Sequence, residues 1–242
     1  MGKIQQSHPV TAPVYALRLA AEAPFPDASP RPGEPGAAWA AAEEGRVADW
    51  HPRSGAVRPD VRFRALCGGG RIAVRFDVRG DRFVRSVATE PQGPVWKDSC
   101  VEFFVQPAEA AGHFNFEVNA GGALHASYIV DPRRLPEGGY ADWAPLPPEW
   151  MARVAVRTSL PRVVDPPLPG PLDWCAEIAV PLELLASVSG APCDRPRAGD
   201  EWRGNFFHCG DETPSPRWGA WSGVGEKLDF HQTARFGVLR FA

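Results

Sequence analysis

Apolar and polar residues alternate with a period of two in several separate runs, most clearly across residues 95–119, VWKDSCVEFFVQPAEAAGHFNFEVN. Successive side chains of a β-strand point to opposite faces of the sheet. In the first half of this stretch Val101, Phe103 and Val105 share one face, and Cys100, Glu102, Phe104 and Gln106 share the other. In the second half Phe114, Phe116 and Val118 alternate strictly with His113, Asn115, Glu117 and Asn119. The pattern predicts two neighbouring strands. The second has an oily face for a core and a face made only of hydrogen-bonding groups. Trp96 stands just ahead of the first strand, in a turn-like approach with Gly93 and Pro94.

The same reading extends along the chain. Residues 1–12 lack periodicity and are expected to form a loose arm, and 14–19 an edge strand. Five prolines between 23 and 36 exclude a helix there and predict an extended surface loop. Residues 37–44, rich in Ala and Glu, are the best early helix. Residues 61–66 and 71–78 alternate on either side of Gly68, Gly69 and Gly70, which predicts a hairpin. Residues 81–92 read as a loop, 123–130 as a third strand of a meander, and 131–148 as a long loop rich in Pro and Gly. Further strands are expected at 153–159, 172–180 and 200–209, with a proline-rich connection at 161–171. A short helix is expected at 181–186, opened by proline, and a closing strand in RFGVLRF. Many short strands, turn signals and little helix predict an all-β fold, an antiparallel β-sandwich of immunoglobulin-like or jelly-roll type with long Pro/Gly-rich loops. No internal repeat or shift of composition marks a boundary, so residues 1–242 are expected to form a single domain.

Composition narrows the function. A hydrophobic content of 44% and a charged content of 23% are ordinary for a soluble globular protein. The net charge of -3 and the lack of a basic stripe give no footprint for nucleic acid. No run of apolar residues is long enough to span a membrane, and the N-terminal stretch has no apolar leader core. A cytoplasmic protein is therefore expected as the sequence stands, and a secreted or periplasmic one if a leader has been trimmed. The 5 cysteines form no CxxC pair and sit mostly within apolar strand patterns. Neither a disulfide framework nor a thiolate zinc site is expected.

The candidate chemistry lies on the polar face of the central pair of strands. A flat ring buries the C–H face of a sugar without demanding a hydrogen bond. Carboxylates accept from hydroxyls, and asparagine both accepts and donates. Trp96 beside Glu102, Glu117 and Asn119 is thus the layout a sugar site needs. Taken alone, such a row is more often a solvated sheet face, and its position beside an aromatic ring is what favours a site. Of the 9 tryptophans, most are expected to be packing. Trp218 and Trp221 are expected to divide between core and rim.

The stretches VWKDSCVEFF, FNFEVNAGGALHASY, DWCAEIAVPLELL, GDEWRGNFFHCGDE and WGAWSG…FHQTARFGVLRF occur in this order. The ordered set resembles the carbohydrate-binding modules of family nine, in particular a branch of stand-alone bacterial proteins, and covers roughly residues 57–241. The resemblance implies a β-sandwich related to the DOMON fold, non-catalytic binding of a saccharide between two aromatic rings, and a link to carbohydrate catabolism. It places Trp96 at the first clamping aromatic and Phe230 at the second, which is usually Trp. Glu102 matches the strand acid, Asn119 the amide on the next strand, His208 a polar position on a later strand, and Arg235 a basic residue. Glu117 stands where xylanase-borne members carry a basic residue. Family members can hold structural calcium, for which this chain offers no clear carboxylate cluster, so no cofactor is expected.

Two other readings compete. Glu102 and Glu117 on adjacent strands could serve as the acid pair of a glycoside hydrolase, which needs the carboxyls about 5–5.5 Å apart for retention or about 6.5–9.5 Å for inversion. No GxSxG, P-loop or HExxH motif accompanies them. DOMON-like relatives bind haem through Met and His, and His113, His125 and His208 could approach one another with Met151 on a nearby loop. A lone strand histidine is more often a hydrogen-bonding group than a ligand.

Overall fold

The computed structural model describes residues 12–24 and 29–242. The expected arm at the N-terminus thus lies almost wholly outside the described residues, as does part of the proline-rich loop that follows β1. Among the described residues, fourteen strands build the fold. They are β1 (Val14–Ala20), β2 (Gly45–Val47), β3 (Asp49–Trp50), β4 (Asp60–Gly68), β5 (Arg71–Ser86), β6 (Cys100–Gln106) and β7 (His113–Asn119). They continue with β8 (Leu124–Arg134), β9 (Tyr140–Pro145), β10 (Ala155–Thr158), β11 (Val164–Pro181), β12 (Glu201–Cys209), β13 (Trp218–Ala220) and β14 (Gly237–Phe241). Two short helices, α1 (Pro148–Met151) and α2 (Leu182–Ser189), are the only α-helical segments among the described residues.

The strands form a β-sandwich. One layer runs β14-β12-β6-β7-β8-β9 and the other β10-β11-β5-β4. Strand β1 joins them. Its first half pairs with β14 and its second half with β4, in parallel both times. This corrects two expectations. Residues 14–19 are not an edge strand, and the otherwise antiparallel sandwich contains parallel pairings. The two layers meet through aromatic rings that strand periodicity turns inward. Phe63 of β4 stacks on Phe206 of β12 at 3.7 Å, and Phe206 stacks on Phe103 of β6 at 5.3 Å. Trp221 packs into the same core, edge-on to Phe206 at 5.7 Å.

The β4–β5 hairpin turns through Gly69 and Gly70, both at positive φ, in register with Cys67 opposite Ile72. A side chain there would be strained, so glycine suits the turn. Three predicted loops are partly strand instead. Strand β5 continues through residues 81–86. The proline-rich stretch joins β11 with register shifts along β5. Residues 131–148 fold back as the β8–β9 hairpin. The helix expected at 37–44 shrinks to a single 3-10 turn, Ala37–Trp39, whose buried Trp39 Nε1 donates to Glu177 Oε1 at 3.1 Å.

Candidate functional site

The register across the larger sheet lines up the candidate acids. Phe207 of β12, Glu102 of β6, Glu117 of β7 and His125 of β8 are successive direct cross-strand partners. All four project from the outer face of the sheet, away from the sandwich core. That face is not bathed in water. It is roofed by the 3-10 turn Val95–Lys97, by β9 and by the segment between β13 and β14. Beneath this roof lies a cavity of about 500 Å³. Glu102, Asn115, Glu117, His125 and Cys209 form its floor. Trp96, Tyr140, Trp143, Trp218 and Phe230 form its walls, with Arg53, Arg134, Asp211, Asp229 and His231 around them.

Four of the seven residues expected at a site therefore share one cavity: Trp96, Glu102, Glu117 and Phe230. Trp96 packs edge-to-face on His125, with ring centroids 5.2 Å apart. Phe230 stacks flat on Phe207 at 4.1 Å and 10°, which fixes its ring against the row that carries Glu102. Glu102 is 2% exposed and Glu117 5%. Glu102 Oε1 accepts the Cys209 thiol at 3.0 Å, and Glu117 Oε1 accepts Asn115 Nδ2 at 2.7 Å. Glu117 Oε2 has no hydrogen-bond partner. Burial, and then the charge of Glu117, push the Glu102 carboxyl well above the usual carboxylate range. Burial likewise raises Glu117, opposed by His125 and by the Asn115 hydrogen bond.

The other three expected residues lie elsewhere. Asn119 shares the polar face but sits at the end of β7, where every atom of its amide is used. Its Nδ2 donates to Ala88 O and Asp98 Oδ2, each at 2.8 Å, and its Oδ1 accepts Ala123 N–H at 2.9 Å. Asp98 is a buried hub that also accepts Val87 and Ala88 N–H and pairs with Arg85. His208 stands opposite Val101, so it points into the sandwich core. There its Nε2 accepts Arg217 Nε at 3.0 Å, and burial together with the Arg217 charge holds its pKa well below the usual histidine range. Arg235 lies in the exposed 3-10 turn Thr233–Arg235 rather than on the sheet, and it pairs with neither Glu102 nor Glu117. Sequence reasoning missed Tyr140 and Trp143, whose hairpin reads as loop, and Asn115, His125 and Cys209. Of the last three, Asn115 alone was legible by parity, since it shares a face of β7 with Glu117.

The histidines of the haem reading do not converge, because His208 is on the far side of the sheet from His113 and His125. His113 Nε2 meets His231 Nδ1 at 3.0 Å instead, and Met151 packs on the main core. Among the described residues, the grouping with metal-ligand spacing is Cys100, Glu102 and Cys209, whose ligand atoms lie within 4.8 Å of one another. Two thiols and one carboxylate do not suit calcium, which takes six to eight oxygen ligands. Burial raises Cys100 to about 12, which favours a neutral thiol packed as a small hydrophobe.

The fold has counterparts among solved structures. A protein from Bacteroides uniformis, put forward as carbohydrate-binding, superposes with a TM-score of 0.77 at 25% identity, covering 96% of this chain and all of that one. A family 9 carbohydrate-binding module from Caldicellulosiruptor kristjanssonii, solved with cellotriose, superposes with a TM-score of 0.59 at 13% identity over 95% of this chain and 93% of that one. A module of the same family and organism, solved with glucose, gives 0.56 at 12% identity, covering 95% and 94% of the two chains. No curated protein matches the chain. The sequence profile of carbohydrate-binding family 9 matches residues 44–241, most of the length of the protein, and the chain belongs to that family.

Proposed function

We propose that the protein is a non-catalytic carbohydrate-binding module that serves carbohydrate catabolism, and that its saccharide occupies the cavity on the outer face of the larger sheet. Trp96 and Phe230 flank the sugar ring, and Glu102 and Glu117 take its hydroxyls from below. Asn115 and His125 take the polar roles first expected of Asn119 and His208. The observation that carries this reading is the combination, in one cavity of about 500 Å³, of five aromatic walls with two carboxylates on a rigid sheet. Ligand pockets characteristically join apolar walls to a few fixed polar groups. Family membership supports carbohydrate as the ligand class, as do the relatives bound to cellotriose and glucose.

Membership of a carbohydrate-binding family supports a binding role rather than catalysis. The test is a glycan array of wild type and Trp96→Ala, with and without calcium, followed by an assay for new reducing ends on any saccharide bound. Saccharide binding that disappears in the variant, with no new reducing ends, is expected. Failure of well-folded wild type to bind any glycan would refute the reading, and steady release of reducing ends would refute its non-catalytic part.

A further inference from the structure

We propose that the sugar taken by this cavity carries a protonated amine, its ligand class being amino sugars rather than neutral hexoses or uronic acids. The inference rests on the carbohydrate-binding reading above and deepens it. Its starting point is a contrast among buried acids. The buried carboxylates among the described residues are Asp77, Asp81, Asp98, Glu102, Glu117 and Glu177. Four of them have an arginine built into the fold. Arg75 serves Asp77 at 2.8 Å and Glu177 at 2.7 Å, Arg217 serves Asp81 at 2.7 Å, and Arg85 serves Asp98. Glu102 and Glu117 alone form no ion pair with any described residue, and these two line the cavity.

The two are direct cross-strand partners, so their side chains share a small volume on one face. Burying an ionised carboxylate without a partner is costly, and elsewhere the fold meets that cost with a guanidinium. Here the fold supplies no guanidinium, so the pair must hold a proton or take a cation from a ligand. Glu117 Oε2, buried and without a hydrogen-bond partner, is an acceptor ready for it.

The remaining charged groups form no ion pair with either acid, and His125 and Arg134 act on Glu117 only through space. Arg134 is held over the Tyr140 ring at 4.3 Å and Arg53 over Trp218 at 5.7 Å, both exposed at the mouth. Asp211 accepts Trp218 Nε1 at 2.6 Å, and Asp229 pairs with Lys227 at 2.7 Å. His125, beside Glu117 in register, packs on Trp96, and His231 meets His113. The walls add a second attraction, because ring faces draw cations strongly once water is excluded. An ammonium entering between Trp96 and Phe230 meets carboxylates below and rings around it. A neutral hexose leaves the acid pair to its proton, and a uronate adds a further negative charge beside it.

The test is titration calorimetry at about pH 6.5, where an amine stays protonated. Glucosamine, galactosamine, mannosamine and 6-amino-6-deoxyglucose are each compared with the parent hexose, alongside glucuronate and calcium chloride. At least one amine should bind tenfold or more tighter than its parent, about 1.4 kcal/mol. The amine-to-parent ratio should fall towards one in Glu117→Gln and in Glu102→Gln. Wild type gives a second readout should those variants misfold. An ammonium that displaces a proton from the acid pair makes the binding enthalpy depend on the buffer, while a neutral sugar does not. Parent hexoses bound with a ratio near one would overturn the amine inference and leave the carbohydrate reading standing. Binding of none of the sugars would overturn both. Glucuronate bound more tightly than every amine, or calcium bound by wild type and lost in Glu117→Gln, would replace the ammonium with another class.

Discussion

Replacing Trp96 with alanine separates a ligand platform from a packing plug. The backbone of its turn is secured without the indole. Lys97 N–H donates to Pro94 O at 3.1 Å, Asp98 N–H to Val95 O at 3.0 Å, Asp211 N–H to Trp96 O at 3.1 Å and Glu212 N–H to Lys97 O at 2.9 Å. The side chain itself is half-buried, and its edge-to-face contact with His125 is the ring contact that alanine removes. Losing such a contact costs about 1 kcal/mol, or a fall of about 2–4 °C in Tm for a chain of this size. The loss on the ligand side is larger in proportion. An indole covering about 60 Å² of sugar C–H surface contributes about 1.5 kcal/mol at about 25 cal/mol per Å², which is about a twelvefold change in Kd. The assay is calorimetry with the saccharide that wild type binds, paired with thermal unfolding of both proteins. A Kd within twofold of wild type in a folded variant would refute the stacking role. Collapse of the fold would mark Trp96 as a structural plug.

Further outcomes follow from the buried polar network. Asn119→Ala strands Ala123 N–H and Ala88 O and removes one of three donors from Asp98 Oδ2, so urea unfolding should show a loss of about 2–4 kcal/mol, with saccharide affinity of the folded protein within about threefold of wild type. A large affinity loss without a stability loss would return Asn119 to the ligand. Arg217→Met leaves Asp81 and His208 buried without their guanidinium and should cost about 3–5 kcal/mol, which equilibrium denaturation measures; a cost below about 1 kcal/mol would refute the structural role. Glu102→Gln should stabilise the protein increasingly as pH rises. The folded-state pKa of Glu102 is raised, so its contribution is fully present below the ordinary glutamate value and is lost as pH rises through the folded one. The difference in Tm between variant and wild type should therefore be near zero at about pH 4 and positive at neutral pH; a flat difference would show that the carboxyl is not strained by burial. His113 acts in the opposite direction. Burial holds it down to about 4, so stability also falls as pH drops from about 6.5 through that value, and this effect cancels in the difference.

How much of this was legible in the residues depended on whether the two faces of a strand differ. In β7 every inward residue is apolar and every outward one polar, so parity alone placed Glu117 and Asn115 on the face that bears the cavity. In β12 both Phe206 and Phe207 are buried, one on each face, and nothing in the pattern told His208 from Cys209. Parity also assigns a face without a position along it. Asn119 is on the polar face but at its far end, where the neighbouring turn consumes the amide. The hairpin that brings Tyr140 and Trp143 to the cavity was hidden by prolines and glycines, which signal turns whether or not strands flank them. The Arg217–Asp81 pair joins residues 136 positions apart and leaves no local trace.

Strand β1 also governs when the molecule can finish forming. Its first half has β14 as neighbour and its second half β4, so the earliest described strand is held partly by the last. During synthesis, at about 5–20 residues per second, residues 14–209 can be out of the ribosome while the upstream half of β12 still has a bare hydrogen-bonding edge. Only residues 237–241 fill the gap between β12 and β1. Until then the nascent chain offers an open edge, which is a template for pairing with another chain. Assembly is thus gated by residues 237–241, and a product that stops short of them is an aggregation-prone species rather than a slightly weakened protein.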